Sequence, residues 1–178
     1  MFLIAICTFL TITMLPDNNN PIDETSLKVA YIERFTRFVE WPQDSSNEFI
    51  IQIIGDTELY DAMQAKFKTH SIKNKKTSVI NSSEIDENNL PQLLIIGNIN
   101  KIENYILKTA NKPILTISNE TSMCEKGVMI NLFIHEKRLR FEVNEQALRN
   151  SKLYVNYRLM QMAMRIIYPV NNQNATNR

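Results

Sequence analysis

The sequence predicts an α/β fold in which helices flank both faces of a mainly parallel sheet and an antiparallel hairpin follows near the C-terminus. Apolar runs rich in β-branched residues recur along the chain, as buried strands of a parallel sheet do. Amphipathic helical segments separate these runs, which is the order of elements in βαβ units. Late in the chain, two apolar runs are separated only by His135, Glu136 and Lys137, and this spacing indicates a hairpin.

The first half of the predicted fold begins with a helix from about Pro21 to Glu40. Asn20 stands at the N-cap position before this proline, and acidic residues follow, which favours a helix start. The apolar run Phe49 to Ile54 predicts a buried strand. The segments expected next are a helix at Glu58 to Lys68, a strand at Thr77 to Ile80, a polar connection at Ser82 to Asn89, and a strand at Gln92 to Ile96.

The second half continues the alternation of helices and strands before the hairpin. The predicted elements are a helix at Lys101 to Ala110, a strand at Pro113 to Ser118, hairpin strands at Val128 to Ile134 and Arg138 to Val143, a helical turn at Glu145 to Arg149, an extended segment at Leu153 to Val155, and a closing helix at Tyr157 to Tyr168. Parallel connections should be right-handed. The pattern as a whole is that of a Rossmann-like αβα sandwich.

The chain length of 178 residues suits one domain, and we expect that domain to span residues 20–170. Residues 1–19 are interpreted as a signal peptide and linker, because the uncharged run Phe2 to Leu15 has the length of a secretory hydrophobic region. No basic residue precedes the run and no small-x-small cleavage site follows it, so an N-terminal anchor and a buried first helix stay open as alternatives. Residues 171–178 are expected to form a disordered tail.

Charge and cysteine content narrow the possible partners and the redox chemistry. The formal net charge is +1 and the basic residues are scattered, which argues against nucleic acid as a partner. Removal of the signal would leave Cys124 as the only cysteine, and a lone thiol cannot form an intramolecular disulfide. We expect a buried, inert thiol, with pairing between chains or redox sensing as the alternatives.

The sequence contains no motif that would assign a cofactor, a metal or a reaction. Gly55 and Gly97 follow predicted strands, but with three glycines in all there is neither G-x-G-x-x-G nor a P-loop motif. His70 and His135 fall in predicted loops without ligands at metal spacing. We therefore expect no cofactor, no metal and no catalytic residue, and we expect that the protein is not an enzyme.

An aromatic stripe in the first predicted helix is the first candidate binding feature. Helical spacing places Tyr31, Phe35 and Phe38 on one face, and Trp41 follows immediately before Pro42. Such a stripe packs inside its own domain or serves as a partner or dimer surface, and the sequence leaves both open.

A polar set on the second hairpin strand is the other candidate. Strict alternation predicts that Arg138, Arg140, Glu142 and Asn144 all face outward, opposite an inward apolar set. Arg140 and Glu142 could pair along this face. The other interpretation is a ligand or partner-specificity face, since an arginine fork matches carboxylate or phosphate.

Three ordered segments resemble the YfiR-like family. They are Lys28 to Pro42 (KVAYIERFTRFVEWP), Gly127 to Asn144 (GVMINLFIHEKRLRFEVN) and the leucine-containing strand-to-helix closure Ala147 to Ala163. The resemblance covers essentially the whole chain after the predicted signal peptide, and its specificity lies in the order and spacing of the three segments.

The resemblance implies a non-catalytic periplasmic regulator that restrains an inner-membrane diguanylate cyclase and so lowers cyclic-di-GMP. It also implies a homodimer and sequestration by an outer-membrane lipoprotein. Two features depart from the family pattern. Members commonly carry several disulfide-forming cysteines, whereas this chain would keep only Cys124, and their hairpin turn has a glycine that His135 to Lys137 lacks. The alternative function is a periplasmic sensor of a small anion or nucleotide.

Overall fold

The computed structural model describes residues 23–42 and 46–168, and it confirms the predicted α/β class. The predicted signal peptide, the proposed Asn20 cap and the predicted tail lie outside the described residues. The elements are α1 (Glu24–Thr36), β1 (Val39–Glu40), β2 (Glu48–Ile54), α2 (Thr57–Phe67), β3 (Lys76–Asn81), β4 (Leu93–Ile96), α3 (Ile102–Thr109), β5 (Leu115–Ser118), β6 (Ile130–His135), β7 (Arg138–Asn144), α4 (Glu145–Asn150), β8 (Tyr154–Val155), α5 (Tyr157–Met162) and β9 (Arg165–Ile167). None of the described helices has the length and apolar character needed to cross a bilayer.

Seven strands form one sheet in the order β3-β2-β4-β5-β6-β7-β9. The first five strands in this order are parallel to one another, as predicted. The predicted hairpin is also present, since β6 and β7 are antiparallel, and β9 then joins β7 in parallel. A separate two-stranded antiparallel sheet pairs β1 with β8.

Two hydrophobic clusters enclose the central strands, one on each face of the sheet. On one face, Ile51 and Ile53 of β2 pack with residues of α1 and α2. On the other face, Ile54 of β2 packs with Ile102 of α3. Gln52 interrupts the apolar run of β2, and its buried amide donates hydrogen bonds to the carbonyl oxygens of two residues after β3. These hydrogen bonds allow a polar side chain to lie in a strand that is buried on both faces.

Carboxylates begin the helices that cover the first face. Asp23 caps α1 and accepts a hydrogen bond from the backbone N–H of Ser26, and Asp56 caps α2 in the same way. An ion pair then joins the two helices, because Lys66 Nζ of α2 lies 2.6 Å from Glu33 Oε2 of α1. The two helices are thereby oriented side by side on the sheet.

The prediction that the first helix runs to Glu40 is wrong. Helix α1 ends at Thr36, and the chain becomes extended so that Val39 enters the core and pairs with Val155. The Phe38 carbonyl oxygen accepts a hydrogen bond from the Asn156 N–H at 2.8 Å, which ties this segment to the C-terminal region. Pairing with a distant strand outweighs the local helical pattern here.

The prediction of one closing helix from Tyr157 to Tyr168 is also wrong. Helix α5 ends at Met162, and β9 pairs alongside residues Glu142 to Asn144 of β7. Arg165 contacts Glu142 from this position, so the sheet and an ion pair both favour the extended conformation. The remaining predicted helices and strands are present, with ends shifted by at most two residues.

The turns after β2 and β4 pack tightly against each other. Gly55 has a φ of +75°, which an L side chain rarely adopts, and a Cβ atom at Gly97 would lie only 2.6 Å from the Gly55 carbonyl oxygen. Close packing of backbone therefore accounts for both glycines.

We predict that Glu33→Gln lowers the free energy of unfolding at neutral pH by up to about 1 kcal/mol, a typical limit for a partly exposed pair. The hydrogen bond from Lys66 lowers the pKa of Glu33 and outweighs the opposing effect of burial. Because the folded pKa is depressed, the contribution of the pair is present above the unfolded pKa and is lost as pH falls through the folded pKa. Urea unfolding at pH 7 and at about pH 3 measures this difference.

The matched control is Asp61→Asn, which removes an exposed carboxylate from α2. Its effect should be small at both pH values. A Glu33→Gln effect of the same size at pH 7 and at acidic pH would contradict a stabilising charge pair.

Candidate functional site

The hairpin formed by β6 and β7 projects beyond the strands on either side of it. Strand β5 pairs only with Ile130 and Asn131 of β6, and β9 pairs only with Glu142 to Asn144 of β7. Residues 132–141 therefore extend past both neighbouring strands. The two-residue turn holds Glu136 and Lys137 at φ values of 49° and 59°, so it is tight without glycine.

Aromatic packing against α1 covers one face of the hairpin. The Phe35 and Phe141 ring centroids are 4.8 Å apart, and the Tyr31 ring meets both of these rings edge to face. The Tyr31 hydroxyl donates to the Leu139 carbonyl oxygen at 3.4 Å. Phe35 is buried, whereas Tyr31 keeps part of its surface exposed. Two residues of the predicted aromatic stripe, Tyr31 and Phe35, thus contact the hairpin.

Trp41 lies in a different part of the molecule from Tyr31. Its ring packs edge to face on Phe49 at 5.1 Å, and its Nε1–H donates to the Gln92 carbonyl oxygen at 2.9 Å. Lys73 Nζ lies 5.8 Å from the Trp41 ring centroid. Phe38 follows the end of α1 and is half-buried. The four aromatic residues therefore do not form one continuous surface.

The predicted polar set on β7 is partly exposed to solvent and partly buried. Arg138 and Arg140 are exposed, as alternation predicts. The prediction that Glu142 faces outward is wrong, since this residue is only 3% exposed. Neither arginine has an ion-pair partner among the residues that the structure describes, because the acidic neighbour expected to pair with Arg140 is engaged elsewhere.

Arg165 of β9 is the ion-pair partner of Glu142. Its Nε donates to Glu142 Oε2 at 2.7 Å, and its Nη2 lies 2.6 Å from the same oxygen. Asn131 Nδ2 donates to the other oxygen, Oε1, at 3.3 Å. Hydrogen bonding and charge from Glu142 raise the pKa of Arg165 above its ordinary value. A buried carboxylate with donors on both oxygens holds β6, β7 and β9 together.

Asn144 and Cys124 complete this part of the interior. The Asn144 side chain accepts the Ala147 N–H at 2.8 Å, which caps α4, and donates to the Cys124 carbonyl oxygen at 2.7 Å. The Cys124 thiol is buried and approaches the Glu142 carbonyl oxygen at 3.6 Å. The amide oxygen and the amide nitrogen of Asn144 are thus both engaged by the backbone, and neither is free for a ligand.

A groove of about 360 Å³ lies beside the outer edge of the hairpin, and we call it the hairpin groove. Its lining includes Tyr31, Leu139, Arg140, Phe141, Met162 and Met164. Met162 and Met164 are 44% and 49% exposed, which is unusual for large apolar side chains. The groove brings together one residue from each predicted set, Tyr31 and Arg140.

Sequence reasoning missed the contribution of the C-terminal segment to this site. The predicted closing helix included Met162, Met164 and Arg165. In a continuous helix these three side chains would not all lie beside the hairpin. The only available signal was the run Arg165 to Ile167, where two β-branched residues follow one another. That signal is too short to identify an edge strand.

Comparison with known protein families identifies the family of this chain. The YfiR/HmsC-like family model matches residues 25–164, which include the hairpin, the whole lining of its groove and the aromatic residues of α1. The chain belongs to the YfiR/HmsC-like family. This result confirms the resemblance carried by the three sequence segments. No curated protein matches the chain.

Membership of the YfiR/HmsC-like family suggests a periplasmic regulator of cyclic-di-GMP signalling. The family is a regulatory one and is not known for catalysis. Among the residues described by the structure, no group of histidine, cysteine and acidic side chains is arranged to hold a metal ion.

We predict that Cys124 in the folded protein reacts with a thiol reagent such as DTNB at least about a hundredfold more slowly than in denaturant. Burial, and then the negative charge of Glu142, raise the pKa of the Cys124 thiol, so the reactive thiolate is scarce at neutral pH. Stopped-flow absorbance with and without guanidinium chloride measures both rates.

A Thr121→Cys variant provides the matched control, since Thr121 is exposed in the same loop. Its added thiol should react rapidly in the folded protein. If Cys124 reacted as fast as this exposed cysteine, the proposed inert role would be wrong.

Proposed function

We propose that this YfiR/HmsC-like protein is a non-catalytic periplasmic regulator that binds and restrains a membrane-bound diguanylate cyclase. The hairpin groove is the observation that carries the proposal. It combines exposed apolar side chains with an arginine that has no ion pair among the described residues, and these are features of a protein-binding site.

Apolar contact would supply most of the binding energy at this groove. Met162 and Met164 are flexible and polarisable, and such side chains adapt to the surface of a partner. Tyr31 adds an aromatic ring with a polar end, a type of side chain that is enriched in binding hot spots. Phe35 lies beneath this surface and would act by supporting Tyr31 and Phe141, because its own side chain is buried.

Charge would supply specificity. Arg140 has no ion pair among the described residues, so it is available to an acidic group of the partner. Two carbonyl oxygens on the outer edge of β7 are already engaged, that of Leu139 by the Tyr31 hydroxyl and that of Phe141 by the Met164 N–H, so side chains would make the contacts. Arg138 lies two residues away on the same face and would extend the basic contact.

The other proposed contacts follow from family resemblance and from partial exposure. Phe38 and Trp41 are half-buried and would form a second contact beyond the C-terminal end of α1. We also propose that the protein forms a homodimer and that an outer-membrane lipoprotein sequesters it. A partner that occupied the hairpin groove would compete with any of these that use the same surface.

We predict that deleting the gene in its native host raises cyclic-di-GMP and that the wild-type gene restores the original level. Met164→Glu and Arg140→Glu should each fail to restore it, because a charge in the apolar groove, or a reversed charge at its rim, weakens binding by about tenfold or more. Cyclic-di-GMP is measured by mass spectrometry of cell extracts. Light scattering of the purified variants reports whether self-association uses the same groove.

Leu107→Glu is the matched control, because Leu107 is 74% exposed on α3, on the opposite face of the sheet. This variant should restore the original cyclic-di-GMP level. Thermal unfolding must show that all three variants fold. An unchanged nucleotide level in the deletion strain would overturn the proposal, and full restoration by the groove variants would remove the groove from it.

A second candidate function is sensing of a small anion or nucleotide by Arg138 and Arg140. It is favoured by the exposure of both guanidinium groups on one strand face without acidic partners in the described part of the chain. We predict that inorganic phosphate or AMP raises the thermal midpoint of the wild type and that Arg140→Ala abolishes the shift. Lys108→Ala, on α3, should keep it. A shift that survives Arg140→Ala would exclude this site.

A further inference from the structure

The outer edge of β3 carries no neighbouring strand in the described part of the chain. Strand β3 stands at one end of the seven-stranded sheet and pairs with β2 alone, in regular parallel register from Lys76 to Asn81. Outside that ladder, no hydrogen bond joins the backbone of residues 76–81 to another described residue. Backbone groups on such an edge can pair with a strand from another chain.

Strand β3 has few of the features that keep a sheet edge from pairing. It contains neither proline nor a bulge, and its only charge is Lys76 at its first position. Ile80 is 41% exposed, which places an apolar β-branched side chain in solvent at the edge of the sheet. The middle of the edge is thus uncharged and partly apolar, as a strand that pairs with another strand is.

The accessible part of this edge is centred on Ile80. Thr77 is only 8% exposed, and its Oγ1 accepts the Ile72 N–H at 3.1 Å, so the turn before β3 covers the start of the strand. Beyond the strand, Gln52 Nε2 donates to the carbonyl oxygens of Ser82 and Glu84 at 2.7 and 2.9 Å. The chain on both sides of Ile80 is therefore held in place.

The two ends of the edge carry opposite charges. Lys76 is exposed and forms no ion pair within the described chain, because Glu48, which faces it on β2, accepts the Ser78 hydroxyl instead. Glu84 is also exposed, and its carboxylate has no partner among the described residues. No acidic residue occurs at positions 66–83, whereas three of the next four residues are acidic. Two such edges attract each other only when they run antiparallel.

A two-fold axis perpendicular to the sheet produces this antiparallel arrangement. The axis keeps every side chain on its own face of the sheet, and directly opposed residues of antiparallel strands share a face. With the axis at Ile80, this residue meets Ile80 of the second copy, Ser78 faces Ser82 of the second copy, and Lys76 approaches Glu84 of the second copy. The exposed isoleucines then cover each other, and both charges find partners.

We propose that two copies of the protein associate through antiparallel pairing of their β3 strands, which joins the two sheets into one, with reciprocal contacts between Lys76 and Glu84. The inference rests on the homodimer of the proposed function and names its interface. It leaves the hairpin groove accessible, because β3 and the β7–β9 pair stand at opposite edges of the sheet. A dimer of this form would present two hairpin grooves, one at each end.

The test is sedimentation velocity of the purified protein between about 1 and 100 μM. A single pair of short strands buries little area, so we expect a Kd on the order of 10 μM and a shift from monomer to dimer within this range. Ile80→Lys should raise the Kd by about tenfold or more, because it places two like charges at the axis. The exposure of Ile80 makes this variant compatible with the fold.

Reversal of charge tests the antiparallel contact directly. Lys76→Glu and Glu84→Lys should each raise the Kd by about fivefold, and the double variant should return it to near the wild-type value. Lys76 and Glu84 of one copy lie at opposite ends of β3, so the restoring contact must form between copies. Lys126→Glu is the matched control, since this exposed lysine precedes β6, and it should leave the Kd unchanged.

Thermal unfolding of each variant shows whether it folds, and the outcomes separate the interface from the proposed function. A wild type that stays monomeric throughout the range would overturn both the interface and the homodimer, whereas regulation of cyclic-di-GMP is judged separately in the deletion strain. A dimer that Ile80→Lys leaves unchanged, or a double variant no tighter than the single variants, would overturn the β3 interface alone. Weakening by Met164→Glu without any effect of the β3 variants would move self-association to the hairpin groove.

Discussion

Burial of β2, β4 and β5 on both faces is the constraint on which the rest of the molecule depends. A sheet without a solvent-facing side needs a helical layer on each face, and α1 with α2 on one face and α3 on the other provide these layers. The Glu33 to Lys66 pair orients the first layer but contributes little to the burial itself. The close contact of the turns at Gly55 and Gly97 follows from the same dense packing.

Beyond β5 the sheet is covered less completely, and the surface available for a signalling partner lies there. The hairpin extends past its neighbours, so the covering layer is incomplete and side chains of α1, β6 and β9 reach solvent together. Glu142 keeps this region ordered, because its two oxygens join β6 through Asn131 and β9 through Arg165. Rigid strands thus carry the hairpin groove.

The spacing of apolar residues along the chain predicted the strands and the hairpin that form from local sequence. The β-branched run of β2 and the alternation at the start of β7 were sufficient to identify buried strands and the hairpin. The same alternation failed at Glu142, because the sequence does not predict β9, which lies beside β7 in the sheet and places Arg165 next to Glu142. For the same reason Arg165 could not be recognised as its partner, and the hairpin groove could not be predicted before the chain was folded. The family itself was predictable, because it depends on residue order and spacing.

The small sheet of β1 and β8 has a consequence for how the molecule forms. Val39 pairs with Val155, more than a hundred positions later, and Tyr31 and Phe35 pack on β7. Contacts between such distant segments raise the contact order and slow folding. During synthesis, the first helix cannot reach its native environment until nearly all of the domain has left the ribosome. A chain with this architecture stays unfolded for most of its synthesis, and its early aromatic segment is exposed to chaperones throughout that time.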